Sequence, residues 1–223
     1  MNKIDPDGGS TDDWYELLEA EGNGTGTYEW FDTDWDHFSN EKGSWVNAGF
    51  GDELLEFDGA DMIYSIQTRN KYGTLQLNQF TFSADSGKPF IYEDPNSWET
   101  TSFNYSPERQ LLLNEGPIPE GKYHVFKDRM QSREGLSNWQ KTKSNLGGGQ
   151  WRGGTKSWGK FRFEVYPKSI DLGGGIIRGD FFVHGGDVRG SAGCIDLCNN
   201  MTTFKNAFML GQQNKVHLIV HYD

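Results

Sequence analysis

Residues 181–197 read FFVHGGDVRGSAGCIDL and are the stretch that decides how this chain is interpreted. An apolar run of strand length ends at His184, a glycine-rich loop follows, and Cys194 comes ten residues later in a Ser-x-Gly-Cys turn. Glycine adopts the backbone conformations that tight loops need, because it has no Cβ atom. The stretch therefore predicts a strand that delivers His184 and a loop that folds back to bring Cys194 beside it.

The rest of the chain consists of short strand-like segments separated by turns. Alternation of apolar and polar residues at 74–81 and 160–165 indicates half-buried strands. Further strand candidates, separated by glycine and proline clusters, are residues 110–114, 123–126, 175–183 and 215–222. Residues 200–210 have apolar side chains at helical spacing, and the polar residues 131–157 are interpreted as a long loop. Together the segments predict a mainly β fold with one or two helices.

Acidic residues are concentrated in the first part of the chain. The whole sequence has 32 acidic and 21 basic residues, for a formal charge of −11. Residues 1–61 have 17 acidic and 2 basic side chains, whereas residues 62–223 have 15 acidic and 19 basic ones. We therefore predict an acidic, aromatic-rich extension or linker at 1–61 and a separate domain at 62–223. The extension is either a solvated linker or a cover that docks on the second region.

The charge and hydropathy patterns also exclude several classes of protein. The negative net charge argues against a nucleic-acid partner or binding to an anionic membrane, because both require a basic surface. Apolar runs such as residues 216–220 are strand-sized, whereas a spanning helix needs about 20 residues, so we expect no membrane insertion. The first residues, MNKIDP, lack the apolar core of a secretory signal peptide.

His184 and Cys194 are the residues of the 181–197 stretch that can support covalent chemistry. An imidazole next to a thiol can accept its proton and leave a nucleophilic thiolate. The surrounding glycines also leave backbone N–H groups free to stabilise an oxyanion. Each residue has an ordinary alternative, since a single histidine at a strand end is usually a core or edge residue and a single cysteine a small buried hydrophobe. The residues alone leave both interpretations open.

Residues 183–186 and 190–197 resemble the active-site signature of L,D-transpeptidases (the YkuD-like catalytic domain), in which a His-Gly pair precedes a Ser/Thr-x-Gly-Cys motif. They are most similar to the type VI secretion L,D-transpeptidase effector family. Residues 116–123, with a Pro-x-Gly-x-Tyr segment, and residues 83–87, with a Ser-Gly pair, are similar to segments upstream in these domains. The resemblance covers residues 62–223 and implies an L,D-transpeptidase-like β-sandwich or barrel, with the acidic region as an N-terminal extension. Within that extension, the segment from Asp12 to Tyr15, with Trp-Phe-Asp following at 30–32, is similar to one that precedes toxin domains in Rhs-type polymorphic toxins.

The resemblance implies a role for each residue of the catalytic centre. Cys194 is the nucleophile and His184 is its base, with the carbonyl of Gly185 orienting the imidazole in place of a triad carboxylate. The N–H groups of Gly193 and Cys194 form the oxyanion hole. Ser191 either hydrogen-bonds within the site or only braces the turn.

Four further residues are candidates for substrate binding. Arg189 is suited to a stem-peptide carboxylate, and Asp196 either binds a substrate ammonium or fixes Arg189. Asp187 lies in the same loop, and Trp158 is a candidate wall of the cleft. Each has an alternative as a solvated, structural or packing residue. The common family pattern has His where this chain has Ala192 and Arg or Asn where it has Asp196, which leaves donor binding and acceptor choice open.

By resemblance, the substrate is the peptide stem of bacterial peptidoglycan, and no metal or organic cofactor is required. Release of D-alanine from a tetrapeptide stem leaves a thioacyl-enzyme. Water then gives L,D-carboxypeptidase activity, whereas an amine gives L,D-transpeptidation or D-amino-acid exchange. The resemblance also implies an antibacterial effector that a secretion apparatus or a parent toxin chain delivers into the periplasm of a target bacterium. A cognate immunity protein is then an expected partner.

Three alternatives belong to other classes. A cysteine endopeptidase or amidase of the cell wall uses the same dyad, and a non-catalytic peptidoglycan-binding module needs no nucleophile. A structural zinc module is the third alternative, but Cys194, Cys198 and His184 supply three ligands with no evident fourth. His217 and His221 are the remaining ligand candidates.

Overall fold

Strands are more abundant than helices in the structure, a computed structural model that describes residues 13–31, 33, 35–69, 72, 74–92 and 100–222. In chain order the strands are β1 (Asp13–Leu18), β2 (Gly24–Phe31), β3 (His37–Asn40), β4 (Gly43–Asn47), β5 (Glu53–Phe57), β6 (Asp61–Arg69), β7 (Leu75–Ser83), β8 (Asp85–Gly87), β9 (Phe90–Tyr92), β10 (Thr100–Ser102), β11 (Gly121–Phe126), β12 (Gln131–Ser132), β13 (Phe161–Tyr166), β14 (Ser169–Asp171), β15 (Ile177–Gly179), β16 (Phe182–His184), β17 (Ser191–Asp196) and β18 (Lys215–Val220). The α-helices are α1 (Pro107–Gln110), α2 (Asn138–Asn145), α3 (Gly154–Trp158) and α4 (Met201–Phe208). The predicted mainly β fold is confirmed.

The central sheet has the strand order β7-β6-β5-β18-β11-β13-β16-β17-β8, and β12 pairs with β13 beside this path. Neighbouring strands are antiparallel except for β5 with β18 and β16 with β17, which are parallel. The two edge strands, β7 and β8, are consecutive in the chain and are separated only by Ala84. The sheet therefore curls until its edges nearly meet, which gives a barrel-like shape.

The core of the molecule lies on the inner face of this sheet. In β13 the apolar residues Phe163 and Val165 alternate with polar ones and point into the core, as the two-residue period of a strand requires. Helix α4 adds Phe204 and Phe208, whose rings stack at 5.3 Å and meet Phe163 edge-on. The helix predicted near residues 200–210 is thus present, and its apolar face is buried in the core.

Residues 13–47 form a separate antiparallel sheet in the order β2-β1-β4-β3. One face of this sheet packs on the central sheet, where the buried Trp14 belongs to the same apolar cluster as Leu54 of β5. An ion pair of 2.9 Å between Glu16 and Lys122 joins the two sheets at the surface. The described part of the acidic region is therefore a docked sheet, not a solvated linker.

The boundary between the two sheets differs from the boundary in charge. Strand β5 lies in the acidic region, yet it pairs with β6 and β18 of the central sheet. The chain changes sheets between Asn47 and Glu53, before the composition changes near Asp61. Residues 1–12, including Asp12 of the segment similar to Rhs-type toxins, lie outside the described residues.

Two local predictions are wrong. Residues 110–114 contain no strand, because the hydroxyl of Ser106 accepts from the N–H of Arg109 and Pro107 opens the short helix α1. Residues 131–157 are not a simple loop, since they include α2, which begins with a capping box formed by Ser137 and Gln140, and most of α3. Within the described ranges, no helix has the length and apolar character needed to cross a membrane.

Candidate active site

His184 and Cys194 lie on two adjacent parallel strands. The register of β16 and β17 pairs Val183 with Ile195 and His184 with Asp196. Because Val183 and Ile195 point into the core, their neighbours His184 and Cys194 lie on the opposite face of the sheet. Both side chains are nevertheless covered, with 1% of His184 and 3% of Cys194 exposed. The predicted juxtaposition of the two segments is therefore present.

The turn after His184 fits only glycine. A Cβ atom on Gly185 would overlap the carbonyl oxygen of Cys198 and would lie 2.5 Å from Cβ of Met201. At Gly186, a Cβ atom would lie 2.5 Å from the carbonyl oxygen of Lys156. The turn is thus held between the end of α3 and the start of α4, which fixes the direction of the histidine strand.

The imidazole of His184 is fixed through one of its nitrogens. Nδ1 lies 2.9 Å from the carbonyl oxygen of Gly185, as the resemblance implied. A carbonyl only accepts hydrogen bonds, so Nδ1 carries the proton and Nε2 has the free lone pair. Nε2 is buried and has no hydrogen-bond partner in the described part of the chain. Burial lowers the pKa of His184 to about 4, so the ring is neutral at pH 7.

Cys194 is also uncharged at rest. Its Sγ lies 3.9 Å from the carbonyl oxygen of Asp180. Burial raises the pKa of the thiol to about 11, and this effect exceeds the opposite effects of the Ser191 hydroxyl and the N–H of Phe182. The thiol thus lies near the carbonyl of Asp180 and forms no hydrogen bond with Nε2 of His184. Catalytic hydrogen bonds are often unformed without substrate, so this geometry is compatible with a dyad.

A register shift surrounds the nucleophile candidate. On the side of β8, Ser191 pairs with Gly87 and Ile195 with Ser86, so residues 192–194 have no partner in that strand. Gly193 has a φ of +91°, which favours glycine. The N–H groups proposed for the oxyanion hole therefore belong to an irregular segment that is free of the β8 ladder.

The sequence did not indicate that Asp196 is buried and bound by backbone N–H groups. It is fully buried, and its two carboxylate oxygens accept from the N–H groups of Cys198 at 2.8 Å and Gly190 at 3.0 Å. One oxygen also lies 3.8 Å from Nδ1 of His184. Burial raises the pKa of Asp196 to about 6. The suggestion that it binds a substrate ammonium is wrong for this conformation, because no part of it reaches the surface.

Arg189 is anchored by a different carboxylate. Its Nε and terminal nitrogen each lie 2.7 Å from an oxygen of Asp85, in a two-bond pair. The suggestion that Asp196 fixes Arg189 is therefore wrong. The Arg189 side chain remains 58% exposed, so its outer edge is available to an anion. Asp187 is exposed in the same loop, and its N–H donates to the carbonyl of Lys156.

Trp158 both packs and covers the site. The centre of its ring lies 4.8 Å from that of His184, and its Nε1 donates to the carbonyl of Arg152 at 2.9 Å. The guanidinium of Arg162 lies between this ring and that of Trp151. The two interpretations given for Trp158 are thus compatible, since a packed ring forms one side of the site.

The sequence did not single out three buried residues of the site, namely Arg162, Arg178 and Asp85. Across β13, β16, β17 and β8, the register aligns Arg162, His184, Asp196 and Asp85 in one row. A charged residue on the polar face of a half-buried strand is ordinary, so the sequence gives no sign that Arg162 is buried. Asp85 lies within the segment 83–87 and was the only one of the three that a motif could have indicated.

The three segments quoted for the resemblance meet in space. The hydroxyl of Ser86 accepts from the N–H of Ile118 at 2.8 Å, which joins residues 83–87 to residues 116–123. Gly87 pairs with Ser191, which joins the same segment to the cysteine strand. Segments about 100 residues apart in sequence therefore surround one site.

Among the described residues, no group of three or more His, Cys, Asp or Glu side chains is arranged to hold a metal ion. His217 stacks on Phe50 at 4.8 Å, on a strand separated from β16 by β11 and β13. Cys194 and Cys198 are both free thiols. No protein-family model matches this chain, and no curated protein matches it.

Proposed function

We propose that this chain is a peptidoglycan-modifying cysteine enzyme that acts on tetrapeptide stems as an L,D-carboxypeptidase, an L,D-transpeptidase or both. The observation that carries the proposal is the pairing of the Cys194 strand with a neutral His184, whose free Nε2 is set by the Gly185 carbonyl. The resemblance of residues 183–197 to the L,D-transpeptidase signature supplies the substrate class. The exposed edge of Arg189 supports a substrate with a carboxylate.

The first half of the reaction forms a thioester. The thiol turns from the carbonyl of Asp180 to Nε2 of His184, which accepts its proton. Sγ attacks the carbonyl carbon between the third stem residue and D-alanine, and the negative charge on oxygen is stabilised by the N–H groups of Gly193 and Cys194. The C–N bond then breaks, and the imidazolium gives its proton to the leaving amine of D-alanine.

The second half regenerates the thiol. His184 takes a proton from water or from an acceptor amine, which attacks the thioester carbonyl. Water yields a tripeptide carboxylate, whereas an amine yields a new amide bond. Sγ leaves as a thiolate and recovers the proton from His184. Both outcomes remove the tetrapeptide donors that cross-linking of the wall requires.

We further propose that the chain acts as an antibacterial effector, delivered into the periplasm of a target bacterium by a secretion apparatus or as part of a parent toxin. An immunity protein that covers the site would protect the producing cell. Both proposals rest on the resemblance of the cysteine segment to the type VI secretion effector family.

The proposal is tested by incubating the protein with purified tetrapeptide muropeptides under reducing conditions, with and without a D-amino acid, and measuring product masses. We expect release of D-alanine, loss of release in Cys194→Ala and His184→Ala, and retention of release in Cys198→Ala, which is the matched thiol control. Unchanged tetrapeptides in both conditions would falsify the proposal. Cleavage at another bond of the stem would instead identify a cell-wall endopeptidase or amidase.

A further inference from the structure

Arg178 of β15 is a buried guanidinium that borders the nucleophile segment. It is 4% exposed, and it donates to the carbonyl oxygens of Gln110 at 2.6 Å and Gly116 at 2.9 Å, and also to that of Pro117. One of its terminal nitrogens lies 2.6 Å from where a Cβ atom on Gly193 would stand. The cation therefore abuts the residue that precedes Cys194 in the chain.

Arg162 of β13 is a second buried guanidinium at the site. It is also 4% exposed, and it donates to the side-chain oxygen of Gln131 at 2.7 Å and to the carbonyl of Gln150 at 2.8 Å. Directly opposite it in the sheet is His184. Each of the two guanidinium groups interacts electrostatically with Cys194.

Both cations lack the carboxylate that usually accompanies a buried arginine. In the described ranges, neither Arg162 nor Arg178 forms an ion pair within 4.0 Å, and their acceptors are neutral oxygens. Burying a charge without a partner is costly, because water is lost and no opposite charge replaces it. An anion that forms beside them during a reaction would supply that missing opposite charge.

We propose that Arg162 and Arg178 are positioning residues that hold positive charge next to Cys194, so that the thiolate and the following oxyanion form against two pre-placed cations. The role of the two arginines in catalysis rests on the proposed function, whereas their stabilisation of the Cys194 thiolate does not. Before proton transfer, the two guanidinium groups supply the positive charge that a charged imidazole provides in other thiol enzymes, because burial keeps the resting His184 neutral.

The other charged groups around Cys194 do not cancel this effect. Asp196 is the anion that opposes a thiolate, but it raises the pKa of Cys194 by less than Arg162 lowers it. Glu164, on the same face of β13 as Arg162, is engaged by Lys168 at 2.9 Å and by the hydroxyl of Tyr166 at 2.5 Å. The two arginines therefore remain the cations without a carboxylate at the nucleophile.

The test measures the alkylation rate of Cys194 by iodoacetamide at about pH 8, in a Cys198→Ser background so that one thiol reports. At this pH the rate follows the thiolate fraction. At an effective dielectric constant of about 20, the loss of a neighbouring unit charge moves a pKa by roughly one to two pH units. We therefore expect Arg162→Met and Arg178→Met each to slow alkylation by about tenfold or more. Loosening of the fold would accelerate alkylation, so slowing identifies the charge effect.

Lysine variants separate charge from structure. Arg162→Lys and Arg178→Lys keep the charge but lose the forked hydrogen bonds, and they should recover most of the alkylation rate. Arg152→Met, which removes an exposed arginine near α3, is the matched control and should react like the parent. If circular dichroism shows that Arg178→Met does not fold, the comparison of Arg162→Met with Arg162→Lys tests the proposal.

The assignment is overturned if folded methionine variants react within twofold of the parent, or if lysine variants are as slow as methionine variants. The same proteins are then given tetrapeptide muropeptides. Slowed alkylation without any D-alanine release in the parent would reject the proposed function and leave the role of the arginines intact. If the methionine substitutions leave D-alanine release unchanged, the two arginines have no role in catalysis, but their effect on the thiol stands.

Discussion

Replacing His184 with asparagine should change the pH dependence of stability in a defined direction. Asparagine keeps an N–H donor for the carbonyl of Gly185, but it does not titrate. Burial lowers the pKa of the imidazole from the ordinary 6.5 to about 4. A group with a lowered pKa makes its full contribution to stability above the unfolded pKa, and this contribution is lost as the pH falls towards the folded pKa. Between about pH 6.5 and 4, the parent should therefore lose stability that the variant keeps.

The expected size follows from the pKa of the buried ring. A difference of about 2.5 pH units corresponds to about 3 kcal/mol, because each unit is worth about 1.4 kcal/mol. About 2 kcal/mol of this should be lost by pH 5 and about 3 kcal/mol by pH 4. At neutral pH, the His184→Asn variant should be less stable by about 2 kcal/mol, since its smaller side chain leaves a cavity. Acidification should remove or reverse this deficit.

The measurement is urea unfolding, followed by tryptophan fluorescence, at several pH values between about 7.5 and 4. The readout is the difference in unfolding free energy between variant and parent, so that titrations common to both proteins cancel. His217→Asn is the control, because His217 is only half-buried and its lowered pKa should give a smaller change. A difference for His184→Asn that stays constant within about 1 kcal/mol down to about pH 4.5 would refute the reasoning.

Asp196→Asn should show the opposite sign in the same experiment. Burial raises the pKa of Asp196 from 3.8 to about 6. A carboxyl group with a raised pKa stabilises the fold fully below its unfolded pKa, and this contribution is lost as the pH rises through about 6. On acidification to about pH 4, the free energy of unfolding of the variant should drop by about 2 kcal/mol relative to that of the parent. Changes of the same sign in both variants would show that the neutral imidazole and the buried carboxyl are wrongly assigned.

Three other substitutions test the framework of the site. Gly185→Ala should lower the free energy of unfolding by about 1–3 kcal/mol, because its Cβ atom would overlap the carbonyl of Cys198. It should also lower any D-alanine release at least tenfold. Values like those of the parent would contradict the tight turn. Lys127→Met should cost about 3–5 kcal/mol by leaving Glu53 buried without its cation, and adding Glu53→Gln should restore part of the loss. Trp14→Ala should make residues 13–47 susceptible to limited proteolysis. The alkylation rate of Cys194 should stay within twofold of the parent, because the docked sheet packs on strands that are distant from β17.

The sequence was sufficient to predict the features that depend on neighbouring residues. Glycines at 185 and 193 allow the turn and the irregular strand beside His184 and Cys194, and both are encoded within seventeen consecutive residues. The helix near residues 200–210 was predictable from its apolar spacing. Residues 110–114 were mistaken for a strand because three consecutive leucines suggest burial, whereas Leu113 is 58% exposed in the structure.

The features that were missed depend on strand order. Arg162 and His184 are 22 residues apart, and only the pairing of β13 with β16 places them opposite each other. The partner of Arg189 was expected to be Asp196, because that residue is near in sequence and Asp85 is about 100 residues away. A local pattern identifies which residues can react, but the counter-charges and acceptors around them come from distant strands.

The same distinction applies to Asp196, the second residue after Cys194. Its two oxygens accept from the N–H groups of Gly190 and Cys198, which flank the nucleophile strand at either end. A cation at this position would replace an acceptor of two N–H groups and leave both donors buried without a partner. In this chain the positive charge next to the thiol comes from Arg162 and Arg178, which reach it from β13 and β15. Asp196→Arg should therefore lower the free energy of urea unfolding by about 1–3 kcal/mol, which is the cost of leaving buried donors without an acceptor.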